Sequence, residues 1–170
     1  MHRRLLVYAA IFALGALTTA LTGLVASRAA AAPDAQASCA LGPKQIIRPA
    51  SLNDPSARGY SHGVRTGNLL FLAGHTGTAP GMSEPVDLET QMRRAFGNMQ
   101  AILQEAGGSL DDLTTMTVYM TDIRFADRFT QLRAEILGRD FPASALIGVQ
   151  RLVPPDGLFE IQAIAVLPCR

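Results

Sequence analysis

The chain has no Trp, a single Lys (Lys44), two cysteines and three histidines, and its first 31 residues hold neither Asp nor Glu. Each scarcity excludes something. Zinc sites draw three or four ligands from Cys, His and carboxylates at short spacings. No such spacing occurs here, so neither a metal nor another cofactor is expected. Nucleic-acid binders carry clustered Lys and Arg on one face, whereas the arginines here are scattered, which argues against a nucleic-acid partner. With 170 residues, 48% of them apolar and 17% charged, the chain is neither fibrous nor disordered and can bury the core of one ordinary domain.

The acid-free start is read separately. His2, Arg3 and Arg4 precede an uncharged run from Leu5 to Ala26, and Arg28 and the small residues Ala29 to Ala32 follow. A basic start, an apolar stretch from Leu5 to Leu17 and a small-residue end resemble a secretory signal peptide over residues 1–31, cleaved after Ala31. The alternative is a retained anchor, because the 22 uncharged residues 5–26 just reach the length that spans a bilayer. The protein is therefore expected to be exported, periplasmic or secreted, and in contact with a membrane only if that segment stays. Cys39 is not a lipid-attachment site, since Gln36-Ala37-Ser38 lacks an apolar residue three positions before it. Loss of residues 1–31 leaves 12 basic against 14 acidic residues, a net charge of about −2. In an oxidising compartment Cys39 and Cys169 read as one disulfide, the alternative being two free thiols near the chain ends.

Residues 32–43, rich in Ala, Pro and small polar residues, read as a linker, and the domain spans 44–170. Gln45 to Arg48 and Ser61 to Arg65 read as strands around an irregular loop. After the turn Thr66-Gly67-Asn68, the apolar run Leu69 to Ala73 gives a third strand, and the Gly- and Pro-rich stretch from Gly74 to Pro85 takes the backbone out of it. Leu88, Met92, Phe96, Met99 and Leu103 recur at helical spacing, which predicts a helix over Asp87 to Ala106 stopped by Gly107-Gly108. Thr114 to Met120 alternates as a half-buried strand, and Arg124 to Leu137 is a second helix. Ala145 to Leu152 and Phe159 to Leu167 are the last strands, joined by Pro154-Pro155-Asp156-Gly157. The order β-β-β-α-β-α-β-β predicts an α+β fold with two helices on one face of a single sheet. The other face, with Leu146, Ile161, Ile164 and Val166 as its apolar candidates, is then a subunit interface.

Tyr60-Ser61, the run Thr66 to Phe71, Ala73-Gly74, Ala106-Gly107, Thr117-Val118-Tyr119, Phe141-Pro142-Ala143 and the run Phe159 to Ala165 together resemble the RidA, or YjgF, family of imine and enamine deaminases over residues 44–168. The resemblance implies a chorismate-mutase-like homotrimer with small-molecule pockets between subunits. It also implies a hydrolytic chemistry in which a guanidinium grips the carboxylate of a 2-imino acid, a Glu directs water at the C=N carbon, and a backbone N–H on the third strand fixes the ligand. On that pattern Glu160 is the catalytic glutamate, Ala73, Gly74 and His75 line the ligand at the strand end, and Tyr60 walls the pocket.

One position departs from the pattern. Where the family has arginine after Phe-Pro-Ala, this chain has Ser144, and the Cys often found two positions on is Leu146. Arg151 lies an odd number of residues from Ser144, so in a regular strand it would point to the other face. Losing a charge-assisted contact weakens carboxylate capture by about 10- to 100-fold. Either the substrate lacks a carboxylate or His75 holds it, and Ser144 either binds a neutral ligand or fills space. Each retained residue also has a plainer role: Glu160 as a structural carboxylate, His75 and His62 as surface histidines, Tyr60 and Tyr119 as packing residues. The expectation is an exported deaminase of altered substrate preference. The alternative is a non-catalytic small-ligand-binding or chaperone-like trimer. Ribonuclease activity, sometimes attached to this family, sits poorly with a net charge of about −2.

Overall fold

The structure, a computed structural model, describes residues 41–78 and 86–169. All of them belong to one compact unit, Ala37–Arg170. The expected signal segment, most of the linker and Cys39 lie outside the described residues. No cysteine among the described residues is a free thiol, and no helix among them is long and apolar enough to cross a membrane.

Three strands open the domain as an antiparallel meander: β1 (Gln45–Ile47), β2 (Gly63–Thr66) and β3 (Leu69–His75). Gly67 makes the β2–β3 turn at φ 57, a left-handed conformation that side chains disfavour. Helix α1 (Leu88–Glu105) follows, then β4 (Leu113–Met120), helix α2 (Ala126–Leu137), β5 (Ala143–Gly148) and β6 (Phe159–Val166). The sheet runs β1-β2-β3-β6-β4-β5. Only β4 and β5 pair in parallel, because α2 carries the chain back between them. The final strand inserts between β3 and β4 and joins the meander to the β4-α2-β5 unit. So β5 and β6, consecutive in sequence, are not neighbours.

Period-two alternation sorts the strands into two faces. Phe159, Ile161, Ala163 and Ala165 of β6 and Met116, Val118 and Met120 of β4 are buried under the helices. Met92, Phe96, Met99 and Leu103 from α1 and Phe129 and Leu132 from α2 complete that core. The Phe129 and Phe159 rings meet edge-on at 5.5 Å. Asp87 starts α1 by accepting the Thr90 backbone N–H at 3.0 Å. Gln91, fully buried on α1, donates from Nε2 to the carbonyls of Val86 and Asp156, both at 2.9 Å, and its Oε1 accepts the Leu158 N–H at 3.0 Å. One side chain thereby ties the start of the helix to the loop that feeds β6.

Several sequence expectations are corrected. Ile161 and Leu146 do not belong to the open face: both pack into the helix-covered core. Ile161 and Ile164 differ by an odd number and must point to opposite sides of a regular strand. Strand β5 starts two residues early and stops at Gly148, so Arg151 lies in no strand and the parity argument about it does not apply. A 3-10 turn over Ile123–Phe125, capped by Asp122, precedes α2. The third strand continues through Gly74 to His75, with consequences for the site.

Candidate active site

Strand β3 reaches two residues further than its apolar run because it carries a β-bulge. Leu72 pairs with Ala163 and His75 with Ile161, so Ala73 and Gly74 together stand opposite Gln162. The extra residue flips the alternation beyond it. His75, which strict alternation from Leu72 would place on the open face, is turned into the core and is only 5% exposed.

The open face gains a seat for a carboxylate. Glu160 stands on β6 beside the bulge, and a methyl group built on Gly74 would overlap Glu160 Oε1. A side chain there would displace the carboxylate. The Glu160 carboxylate has no hydrogen bond or ion pair with any described residue, and partial burial pushes its pKa above the usual carboxylate value. Tyr119 of β4 is the direct cross-strand partner of Glu160, a pairing that sets their Cβ atoms about 5 Å apart. An unpaired, half-buried carboxylate with a raised pKa is suited to taking a proton from water.

The remaining predicted site residues divide. Ala73 is beside the carboxylate, but its N–H already donates to the His62 carbonyl at 2.9 Å. His75 does not face the carboxylate, contrary to expectation. Its ring stacks on His62 at 5.5 Å, and burial, reinforced by His62, lowers its pKa to about 4. A neutral, buried imidazole cannot be the cation that holds a carboxylate. His62, expected on the surface, is also buried, and its Nε2–H donates to the Asn53 carbonyl at 2.8 Å. That leaves His62 Nδ1 and His75 Nε2 buried without partners. Tyr60 packs edge-on against His62 at 6.0 Å and is 42% exposed. It lines a cavity of about 200 Å³ with Arg48, Leu52, Asn53 and His62. Tyr60 is therefore a packing residue, and the cavity it walls has neither Gly74 nor Glu160 in its lining.

Ser144 is elsewhere. It pairs with Met116, which pairs in turn with Ala163, so it lies two strand spacings and three ladder steps from Glu160, about 14 Å away. A single chain does not bring the two together. Ser144 Oγ accepts a hydrogen bond from Arg133 Nη1 at 2.9 Å. Sequence reasoning missed Tyr119 as a neighbour of Glu160, although the alternation of Thr114 to Met120 placed it on the polar face. It also missed Arg133, whose place on the polar side of a helix gives no signal. Among the described residues no cluster of three or more His, Cys, Asp and Glu is placed to hold a metal ion.

A mixed six-stranded sheet with two helices on one face and a carboxylate seated on a glycine bulge of the other defines a class of α+β domain. Residues 51–167 match the family model of endoribonuclease L-PSP, and the chain belongs to that family. A RutC family protein of Pyrococcus abyssi is 38% identical over 108 residues, which cover 62% of this chain and 84% of the relative. The 2-iminobutanoate/2-iminopropanoate deaminase of Dermatophagoides farinae is 26% identical over 129 residues, 75% of this chain and 99% of that protein. Among solved structures, a Mycobacterium tuberculosis member of the YjgF/YER057c/UK114 family aligns with a TM-score of 0.64 at 30% identity, covering 74% of this chain and 100% of its own. The RidA or YjgF resemblance and the α+β fold read from the sequence both hold.

Proposed function

We propose that this chain is a hydrolytic deaminase of reactive imine or enamine compounds, exported and working as a homotrimer with its small-molecule pocket between subunits. The carrying observation is the unpaired Glu160 carboxylate seated on Gly74. The relative named as an imine deaminase supports the reaction class.

In this reading the imine lies on the open face with its C=N carbon above Glu160. The carboxylate takes a proton from a water as the water oxygen bonds to that carbon, and passes it to the imine nitrogen, giving a neutral carbinolamine and a carboxylate again. Glu160 then takes the carbinolamine hydroxyl proton and delivers it to the amino nitrogen as the C–N bond breaks. The nitrogen leaves as ammonia with a carbonyl product behind. The balance is imine plus water to carbonyl plus ammonia, with no redox step and no cofactor.

Assembly is supported by what one chain leaves uncovered. Phe71, Ile147 and Val166 are each more than 40% exposed on the open face or the β5 edge. Apolar side chains on an open sheet face beside an unpaired edge strand favour docking of another copy. The 14 Å separation of Ser144 from Glu160 also makes sense if the pocket is completed by a neighbouring subunit. Export rests on the character of residues 1–31, and membrane contact would follow only from their retention. Ser144 in place of arginine favours a second reading, a non-catalytic small-ligand-binding or chaperone-like trimer.

A coupled assay with freshly generated 2-iminopropanoate and 2-iminobutanoate separates the two. Turnover that disappears in Glu160→Gln supports the deaminase. A trimer whose rate is indifferent to that substitution overturns it.

A further inference from the structure

We infer that Arg133 on α2 supplies the carboxylate-binding guanidinium that the strand position occupied by Ser144 does not. The inference rests on the deaminase reading above and names how such an enzyme would hold a 2-imino or 2-oxo carboxylate.

The geometry begins with spacing. Arg133 follows Phe129 by four residues on α2, so its stem lies along the same helix face. Its guanidinium carbon stands 5.9 Å from the centre of the Phe129 ring. A planar cation over an aromatic face is steadied without using its N–H groups. From there Nη1 reaches Ser144 Oγ at 2.9 Å. A guanidinium has five N–H donors, and Ser144 takes one.

Its neighbours are differently engaged. Arg93 and Arg128 both bond Glu89 and approach Glu135, Arg124 pairs with Asp122, and Arg139 with Asp140. Arg133 forms no ion pair with any described carboxylate and meets a neutral hydroxyl instead. It therefore keeps its charge and a donor fork for an anion from outside the chain.

The serine is part of the arrangement. An arginine at position 144 would occupy the space into which the Arg133 head reaches and would repel it. A short side chain with an acceptor oxygen lets the helix arginine arrive and fixes its direction. Ser144 stands on the exposed edge strand β5 with the Arg133 head against it, where the interface of the proposed trimer would bring the pair to the Glu160 of an adjacent subunit. His75, buried and neutral, leaves that role open.

The test uses the assembled protein and two readouts: turnover of 2-iminobutanoate, and calorimetric affinity for 2-oxobutanoate, its carboxylate product. Arg133→Ala is expected to raise both KM and Kd by about 10- to 100-fold, with a smaller change in kcat. Adding Ser144→Arg to that variant is expected to restore most of the lost affinity, which a merely structural role for Arg133 would not allow. Glu160→Gln should cut turnover by about 10²- to 10⁴-fold and keep binding. If Arg133→Ala binds 2-oxobutanoate as wild type does while turnover still depends on Glu160, the inference falls and the deaminase reading stands. If wild type binds the carboxylate through Arg133 and turns nothing over, the inference stands and the deaminase reading falls. No binding of 2-oxobutanoate by wild type overturns the inference.

Discussion

The two faces of the sheet are built from the same strands yet follow opposite rules. Under the helices, buried polar groups are mostly answered: Gln91 makes three hydrogen bonds to backbone atoms. On the open face, Glu160 sits half-buried with no partner among the described residues, and apolar side chains stay exposed beside it. Alternate residues of β6 serve the two faces in turn, so a single strand carries Phe159 and Ile161 into the core and holds Glu160 out. Stability is concentrated on one side and left unspent on the other. An unpaired carboxylate destabilises a fold, and such groups persist where a ligand or reaction uses them.

The sharpest way to break that contrast is to neutralise the carboxylate. Glu160→Gln should cut turnover by about 10²- to 10⁴-fold, the usual worth of a general base. The same change should raise the melting temperature at pH 7. The folded protein binds the Glu160 proton more tightly than the unfolded chain, because burial raises the pKa. Wild-type stability from this group is therefore full below the ordinary glutamate pKa and lost as pH rises through the raised value, and glutamine escapes that loss. A kcat/KM profile should show a low-pH limb above the ordinary glutamate range that Glu160→Asp keeps and Glu160→Gln removes. A variant that loses stability and activity together would instead mark Glu160 as structural.

Gly74→Ala probes the same seat from the other strand. The new methyl would overlap Oε1 and push the carboxylate off its position. Displacing a general base by about 1 Å costs about 10²-fold in rate. The cost should fall on kcat with circular dichroism and oligomeric state unchanged, since the carboxylate has room to swing toward solvent.

On the closed face the readout reverses. Gln91→Ala should leave the intrinsic chemistry of Glu160 intact yet strip partners from three buried backbone groups, at about 1–3 kcal/mol each before relaxation. A loss of about 4 kcal/mol in urea unfolding is expected. Because the Asp156–Leu158 loop leads directly into Phe159 and Glu160, any activity remaining should show the wild-type pH profile with a reduced amplitude. An unchanged unfolding midpoint would show that Gln91 is not the tie between helix and loop.

How much of this could be read beforehand follows from which signals are local. The helical spacing of Leu88 to Leu103 and the alternation of Thr114 to Met120 depend on one element's own period, and both held. So did the α+β class, since two long helices among short strands leave few alternatives. Strand order was not legible, because placing β6 between β3 and β4 is decided by packing across the whole sheet. The family resemblance assigned Gly74 and Glu160 to one ligand pocket, and the seat that Gly74 makes for the carboxylate was not part of that reading. Neither was the fate of His75, because a single bulge at Ala73–Gly74 reverses every side chain beyond it and leaves no mark in the hydrophobic pattern. Arg133 was illegible for a related reason: its partner, Ser144, lies 11 residues on and across the helix-to-strand turn.

The histidine pair offers the finest test, because it lies where the two faces meet. His75 points into the core next to a bulge that shapes the open face, and its stacked neighbour His62 is buried beside the cavity that Tyr60 lines. In the unfolded chain His75 titrates near 6.5, but in the folded protein it resists protonation to about 4. Its contribution is thus fully present above pH 6.5 and is lost as pH falls through that window, by about 3 kcal/mol at the acid end. This runs opposite to Glu160, whose burial favours the fold in acid. Thermal melts of wild type from pH 7 to pH 4 should fall, and His75→Gln should flatten the slope while lowering the plateau at pH 7. If the histidine pair also holds the bulge, that variant loses kcat at pH 7 in proportion to how far Gly74 moves from Glu160. An unaltered kcat with a flattened melt would confine His75 to the stability of the closed face.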